Sequence, residues 1–408
     1  MSRAEPWWLC PKLLLRDLRR HEVLAEFYEP EYPRFTAFGP DGSFLVIANT
    51  TGVNLYTLDG LDGYLPIKGH SMGVTAVAFS PNGSQLVSVG KDSSLQLWDA
   101  ASGRHIWSGS QLLPTQGHSV CFSPDGKLLA TGESGRPDVL LWEAQTGRLL
   151  CELTNGHTGI SWSLQFLPES KEGLYLIRAG GVWRRSLGAN VALWKISSTD
   201  DVLHNVPHAV EQVASLSNGG VMGLVVAPAS DRMAYMDWPE SGDVEVIVSN
   251  VLGKRTPKCL MSADSFYLSC QPLAFTPDGK NVLALLPESR ILVLDVVTGQ
   301  TNRSFKVTGR ENVCERNFTL SPNGRWLAIV ATTKRAVEIY DFEKGELLYT
   351  LQGQESAVWW LAWHPTEPRL AVSRDNGAIA ISDLSRIDRQ LEQLGFGEVG
   401  GSTAQTFH

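Results

Sequence analysis

Gly69–Asp99 reads GHSMGVTAVAFSPNGSQLVSVGKDSSLQLWD, and this stretch decides the fold. Three runs in it, Val74–Phe79, Leu86–Val89 and Leu95–Trp98, alternate apolar residues with small or polar ones. That is the period-two pattern of strands buried on one face. Ser80-Pro81-Asn82-Gly83 separates the first two runs. Proline presets φ for a turn, and Asn-Gly accepts the positive φ of a tight hairpin. Gly90-Lys91-Asp92-Ser93-Ser94 separates the second run from the third. The stretch predicts an antiparallel meander.

The proline turn recurs along the chain, as Gly39-Pro40-Asp41-Gly42, Ser80-Pro81-Asn82-Gly83, Ser123-Pro124-Asp125-Gly126, Leu167-Pro168-Glu169, Ala227-Pro228-Ala229, Thr276-Pro277-Asp278-Gly279, Ser321-Pro322-Asn323-Gly324 and His364-Pro365-Thr366. Successive prolines are 41, 43, 44, 60, 49, 45 and 43 residues apart, the period expected of four short strands per unit. A second turn repeats as Asp99–Gly103, Glu143–Gly147, Asp295–Gly299 and Asp341–Gly345, each ending in a glycine suited to a left-handed position.

Gly69-His70 at the start and Trp98-Asp99 at the end, with Asp92 before Trp98, resemble a WD repeat. The resemblance covers roughly residues 13–396 and implies an all-β fold, a single closed β-propeller of four-stranded antiparallel blades. It also implies that His70, Ser88, Asp92 and Trp98 form a hydrogen-bonded set that satisfies buried polar groups. By that resemblance these four residues are structural.

Eight turns predict eight blades. Leu13–Leu18 followed by Val23–Tyr28 looks like the last two strands of a unit, whereas the final unit, Ala357–Leu384, supplies three strands and stops. The N-terminal surplus is therefore expected to supply the last blade's missing strand and leave no sheet edge open. Seven blades are the alternative, because the pattern is weakest over 155–265, where Arg178–Ala189 reads as a long loop and Val210–Gly220 is ambiguous. The expected organisation is an extension over 1–12, a propeller over 13–384, a short helix over 385–396 with Ile387, Leu391 and Leu394 in helical register, and a disordered tail over 397–408. A helix after the propeller resembles bacterial WD-repeat regions.

Composition narrows the function. The chain of 408 residues is 43% hydrophobic and 19% charged, an ordinary globular balance. Its net charge of −8 comes from 43 acidic and 35 basic residues without charge blocks. That predicts no nucleic-acid and no membrane partner, since both favour a net basic face. No apolar run reaches the length of a membrane span. The six cysteines have no metal-ligand spacing and fall mostly in expected strands, which predicts reduced thiols and a cytoplasmic protein.

No residue pattern calls for catalysis or a cofactor. Gly69-His70-Ser71-Met72-Gly73 matches the nucleophile elbow of serine hydrolases, but that elbow needs a helix after it, and here a strand follows. Phosphate-binding, dinucleotide and HExxH motifs do not occur. The expectation is no enzyme, no metal and no cofactor. An enzyme or small-ligand binder using residues gathered in the central channel is the alternative.

Aligning the first strands on their turns yields two apolar columns. One is Phe38, Phe79, Phe122, Phe166, Val226, Phe275, Leu320 and Trp363; the other, two residues earlier, is Thr36, Val77, Val120, Leu164, Leu224, Leu273, Phe318 and Leu361. Two residues earlier again, counted onto the same strand face, stand Arg34, Thr75, His118, Trp162, Met222, Gln271, Arg316 and Trp359. Such diversity at equivalent positions is not set by the core, and Arg and Trp are enriched at binding hot spots. The resemblance puts this column at the channel mouth, on the face of the Gly-His loops, with Trp183-Arg184-Arg185, Trp238-Pro239-Glu240 and Arg374-Asp375 rising beside it. The sequence therefore predicts a noncatalytic protein-interaction scaffold that binds a protein or peptide through Arg34, His118, Trp162, Trp183, Arg184, Arg185, Arg316 and Trp359.

Overall fold

The computed structural model describes residues 12–393 except 17–22, 29–34, 39–43, 49–52, 58–64, 110–112, 134–138, 155–159, 169–172, 182–190, 207–208, 216–219, 229–231, 239–243, 251–257, 264–272, 287–288, 309–316, 332–335 and 353–356. Among the described residues the chain forms seven four-stranded blades. Blade 1 is Val74–Phe79, Gln85–Gly90, Leu95–Asp99 and His105–Ser108. Blade 2 is Gly117–Phe122, Leu128–Glu133, Val139–Glu143 and Leu149–Leu153. Blade 3 is Ile160–Phe166, Leu174–Gly181, Val191–Ile196 and Val210–Ser215. Blade 4 is Gly220–Val226, Arg232–Trp238, Val244–Asn250 and Lys258–Ala263.

Blade 5 is Leu273–Phe275, Asn281–Leu286, Arg290–Asp295 and Thr301–Lys306. Blade 6 is Phe318–Leu320, Trp326–Val330, Val337–Asp341 and Glu346–Gln352. Blade 7 takes Val358–Trp363, Arg369–Arg374 and Ala378–Asp383 from the end of the chain, and Leu65–Lys68 as its fourth strand. The first strands touch one another in order round the ring, and that of blade 7 touches that of blade 1. Apolar side chains pack between adjacent blades: Ala371, Ile379 and Ile381 of blade 7 meet Val77, Leu86 and Trp98 of blade 1. From Val77 and Phe79 onward both sequence columns lie against this core, with Val77, Leu273, Phe318 and Leu361 nearly inaccessible.

The turns repeat because their hydrogen bonds do. Ser80 Oγ donates to Asn82 Oδ1 at 2.7 Å and accepts from the Gln85 N–H at 3.0 Å. Ser123 with Asp125, Thr276 with Asp278 and Ser321 with Asn323 do the same, at 2.6, 2.6 and 2.7 Å. The glycine that follows has φ of +73° at Gly83 and Gly126, +66° at Gly279 and +72° at Gly324, a region open to glycine at no steric cost. In the second turn Asp99, Asp295 and Asp341 each accept a backbone N–H from three residues on.

The ring has seven blades, not eight. The weak region 155–265 holds two whole blades, with Val210–Ser215 closing the third. The surplus unit is at the N-terminus instead. Phe35–Phe38, Phe44–Ala48 and Val53–Thr57 form a three-stranded meander that adds to the outer edge of blade 6, with Val53–Thr57 parallel to Glu346–Gln352. The fourth strand it needs, Leu65–Lys68, is paired with Ala378–Asp383. Val23–Tyr28, expected on the last blade, pairs with Lys12–Arg16 in a separate hairpin. The physical reason lies in the Gly-His loop. It carries the chain from an outer strand of one blade to the inner strand of the next, so the residues just ahead of Gly69 belong to the blade before blade 1.

Among the described residues two helices decorate the ring. α1 (Thr199–Leu203), between the last two strands of blade 3, ties to blade 2 through Thr199 Oγ1 donating to Asp125 Oδ2 at 2.8 Å. α2 (Leu384–Gln393) begins directly on the last strand and sets Leu384 and Ile387 into the core shared by blades 6 and 7.

Candidate functional site

The Gly-His loop of blade 1 is held by a polar set. Trp98 Nε1 donates to Ser88 Oγ at 2.8 Å, and Ser88 Oγ lies 2.7 Å from His70 Nε2. His70 Nδ1 lies 3.0 Å from Asp92 Oδ1, and Asp92 Oδ2 accepts the Ser71 N–H at 2.8 Å. Burial alone would raise the Asp92 carboxyl, but the hydrogen bond and charge of His70, with Ser94 and Ser71, hold it well below the usual carboxylate range. Other blades keep fragments: Trp142 Nε1 donates to Thr131 Oγ1 at 3.0 Å, and Tyr340 Oη donates to Glu338 Oε2 at 3.0 Å. Blade 3 departs furthest. Arg178, expected in a loop, lies inside the second strand at 1% exposure and donates from Nε to Ser161 Oγ at 2.7 Å.

The variable column has a structural cause that period-two counting misses. The pairing of first with second strand slips between Val74 and Ala76, between Gly117 and Ser119, between Ile160 and Ser163, and between Val358 and Trp360. Thr75, His118, Trp162 and Trp359 therefore sit in β-bulges, where one residue drops out of the ladder and its side chain is re-aimed. At these four positions the column is not on the face counted from the turns. Thr75 uses its position structurally, donating to Gly117 O of blade 2 at 2.6 Å. Ser119 to Ser161 O at 3.0 Å and Ser163 to Leu224 O at 2.7 Å continue this blade-to-blade stitching.

Two of the other bulge residues meet each other, and the third meets two loop residues. His118 stands edge-on to Trp162, ring centroids 5.3 Å apart. Burial first, and then the charge of Lys91, push its imidazole down to about 4. Lys91 Nζ lies 4.5 Å over the Trp359 ring and 2.6 Å from Asp375 Oδ1. Trp359 Nε1 donates to the same oxygen at 3.0 Å. The Lys91 hydrogen bond is the main reason that the Asp375 carboxyl is held low. Met72, 51% exposed, stands on the adjoining Gly-His loop. Blades 2 and 3 thus share one half-buried aromatic contact and blades 7 and 1 a second, charged one, and the Lys91 charge reaches from the second to His118.

Of the sequence-predicted residues, the structure sets His118 against Trp162 and places Trp359 with Lys91 and Asp375. Arg34, Trp183, Arg184, Arg185 and Arg316 lie outside the described residues. Arg374, expected to rise beside Asp375, is buried at 2% exposure. Lys91 was missed because Gly90–Ser94 reads only as a turn; its signal is its place after a second strand, equivalent to Asp375 of blade 7.

The two contacts offer a carboxylate, an ammonium, an imidazole and two indole rings. Among the described residues no group of three His, Cys, Asp or Glu is placed to hold a metal ion. Ser71 is followed by Val74–Phe79, a strand, and its N–H is taken by Asp92. At the opposite end of the blades a groove of about 190 Å³ lies between the Ser321–Asn323 turn and His364–Pro368.

The WD domain, G-beta repeat family matches residues 64–99, 109–143 and 345–381. Each match starts ahead of a fourth or first strand and ends on a third. The chain is a WD-repeat β-propeller. Its first matched repeat opens on Leu65–Lys68, so sequence repeat and blade are offset by one strand, which is how the last blade of the propeller acquires that segment. Periodic tryptophan protein 2 homolog of Dictyostelium discoideum is 23% identical over 61% of this chain and 27% of its own length. An uncharacterized WD repeat-containing protein of Synechocystis is 38% identical over 31% of this chain and 36% of its own. Human U3 small nucleolar RNA-interacting protein 2 is 31% identical over 23% of this chain and 22% of its own. The matched region of the propeller spans about a quarter to a third of these relatives.

Proposed function

We propose that the propeller is a noncatalytic interaction platform that binds a protein or peptide segment on the face of its Gly-His loops. One observation carries this: bulges in the inner strands turn His118, Trp162 and Trp359 out of the blade pattern, His118 and Trp162 against each other and Trp359 against Lys91 and Asp375. Half-buried tryptophans beside charges supply contact area at low entropic cost, as binding anchors do. Arg34, Arg316 and Trp183–Arg185 belong to the proposed face by their sequence positions. The human relative's name speaks of a small nucleolar RNA, so a ribonucleoprotein partner is the second reading.

The test is affinity capture with the wild-type chain and with Trp359→Ala combined with Arg316→Ala, each with and without nuclease. The double variant should lose the partner while its melting temperature stays nearly unchanged. Undiminished capture removes this face. Capture that disappears with nuclease selects the ribonucleoprotein reading.

A further inference from the structure

Trp359 and Asp375 are both on blade 7, on the inner-strand bulge and on the loop after the second strand. Two hydrogen bonds within blade 7 hold their arrangement. Trp359 Nε1 donates to Asp375 Oδ1 at 3.0 Å, and the Asp375 N–H is fixed on Ala357 O at 2.9 Å. Gly73 leaves the room beside them, since a Cβ there would lie 2.6 Å from Asp375 Oδ1. An oriented carboxylate next to an indole face is a receptor for a cation. What fills it comes from the neighbouring blade: the Lys91 ammonium, 2.6 Å from the carboxylate and 4.5 Å over the ring. The Lys91 backbone is anchored by its N–H on Gly73 O, but four rotatable carbons separate that anchor from the charge. The site is open to solvent, with side-chain exposures of 28% at Lys91 and 44% at Asp375.

We infer that Trp359 and Asp375 form a binding site for a lysine or arginine side chain of the partner, and that Lys91 is an internal stand-in which the incoming cation displaces. This rests on the proposed use of the Gly-His face and adds the chemistry of what is recognised there. The alternative chemistry, an acidic partner residue drawn to Lys91, has the opposite signature when Lys91 is removed. Lys91 holds the site by an exposed ion pair and a cation–π contact, so its loss should strengthen capture of an added cation by about tenfold.

The experiment titrates wild type and Lys91→Met with N-acetyl-lysine methylamide, following the Trp359 indole N–H by NMR, with N-acetyl-glutamate methylamide as the control. Lys91→Met should bind the lysine probe about tenfold more tightly than wild type and the glutamate probe no better. Adding Asp375→Asn to Lys91→Met should abolish the gain. Equal or weaker binding of the lysine probe by Lys91→Met overturns the inference, as does a gain that survives Asp375→Asn. Lys91→Gln serves as a second variant should Lys91→Met not show the wild-type melt. If the probe result fails while Trp359→Ala with Arg316→Ala still loses the partner, the ligand class is wrong and the face stands. If that double variant keeps its partner, the face itself is wrong.

Discussion

His118 packs edge-on against Trp162 with the ring planes at 72°, and it is neutral there at neutral pH. Its imidazole is pushed down to about 4, by burial and then by Lys91, from an ordinary value of 6.5. Between those values the unfolded chain binds more protons than the folded one. The stabilisation is therefore complete above about pH 6.5 and is lost as pH falls toward 4. Between pH 7.5 and 5 the expected loss is about 1–2 kcal/mol. His118→Phe keeps an edge-on ring against Trp162 and should remove that part of the acid dependence. Urea unfolding of both proteins at the two pH values decides it; an equal loss in the Phe variant clears His118 of the effect.

Ser88 bridges two ring nitrogens that have no route to water. It accepts from Trp98 Nε1 and lies against His70 Nε2 at 0% exposure. Ser88→Ala strands both, and unsatisfied buried groups of this kind cost about 1–3 kcal/mol each. A loss of about 2–4 kcal/mol is expected in chemical denaturation. Thr131 does the corresponding job for Trp142 in blade 2, so Ser88→Thr should cost distinctly less. Similar costs for Ala and Thr would mean that volume, not the hydroxyl, matters at this position.

How much of this was legible follows from where the physics is local. The proline turns at Ser80, Ser123, Thr276 and Ser321 and their glycines could be read because each of these four is closed by a hydroxyl and an Asx side chain within five residues. The core columns could be read because strands bury every second residue. Blade number could not be obtained by counting turns. Phe35–Phe38, Phe44–Ala48 and Val53–Thr57 form a true meander, yet the fourth strand it needs, Leu65–Lys68, pairs with Ala378–Asp383 more than 300 residues away. The bulges at His118 and Trp359 were equally hidden, because a one-residue slip leaves no trace in the apolar pattern. Only their odd chemistry marked them. Lys91 and Asp375 meet across the junction between the first and last blades, a contact that depends on the ring being closed.

Gly126 and Gly377 separate two reasons for glycine. Both have positive φ, +73° and +82°. A Cβ on Gly126 would meet nothing nearer than Pro81 Cδ at 3.6 Å, whereas on Gly377 it would lie 2.3 Å from His70 O. Alanine at 126 should cost only the left-handed strain of about 1 kcal/mol. At 377 it must also move a loop that Ser88 and Asp92 pin through His70, so Gly377→Ala should cost at least about 2 kcal/mol more. Paired thermal melts measure the difference, and equal costs would show that the Gly-His loop yields easily.

Truncation tests the seven-bladed ring most directly. Ile67 is 1% exposed, lies opposite Ile379 and packs in the cluster that includes Val74, Leu86 and Trp98. A chain beginning at residue 58 keeps this strand and loses only the hairpin and the meander appended to blade 6. It should melt in one cooperative transition, with the outer edge of Glu346–Gln352 newly open to pairing. A chain beginning at residue 69 loses the fourth strand of blade 7 and uncovers the apolar junction between blades 7 and 1. It should lose the cooperative melt, because ring propellers bury their blade faces only against both neighbours. Near-ultraviolet circular dichroism, sensitive to the packing of Trp98 and Trp363, reports on both. If the chain from 58 fails as completely as the chain from 69, the N-terminal meander is part of the ring and the assignment of Leu65–Lys68 to the last blade is wrong.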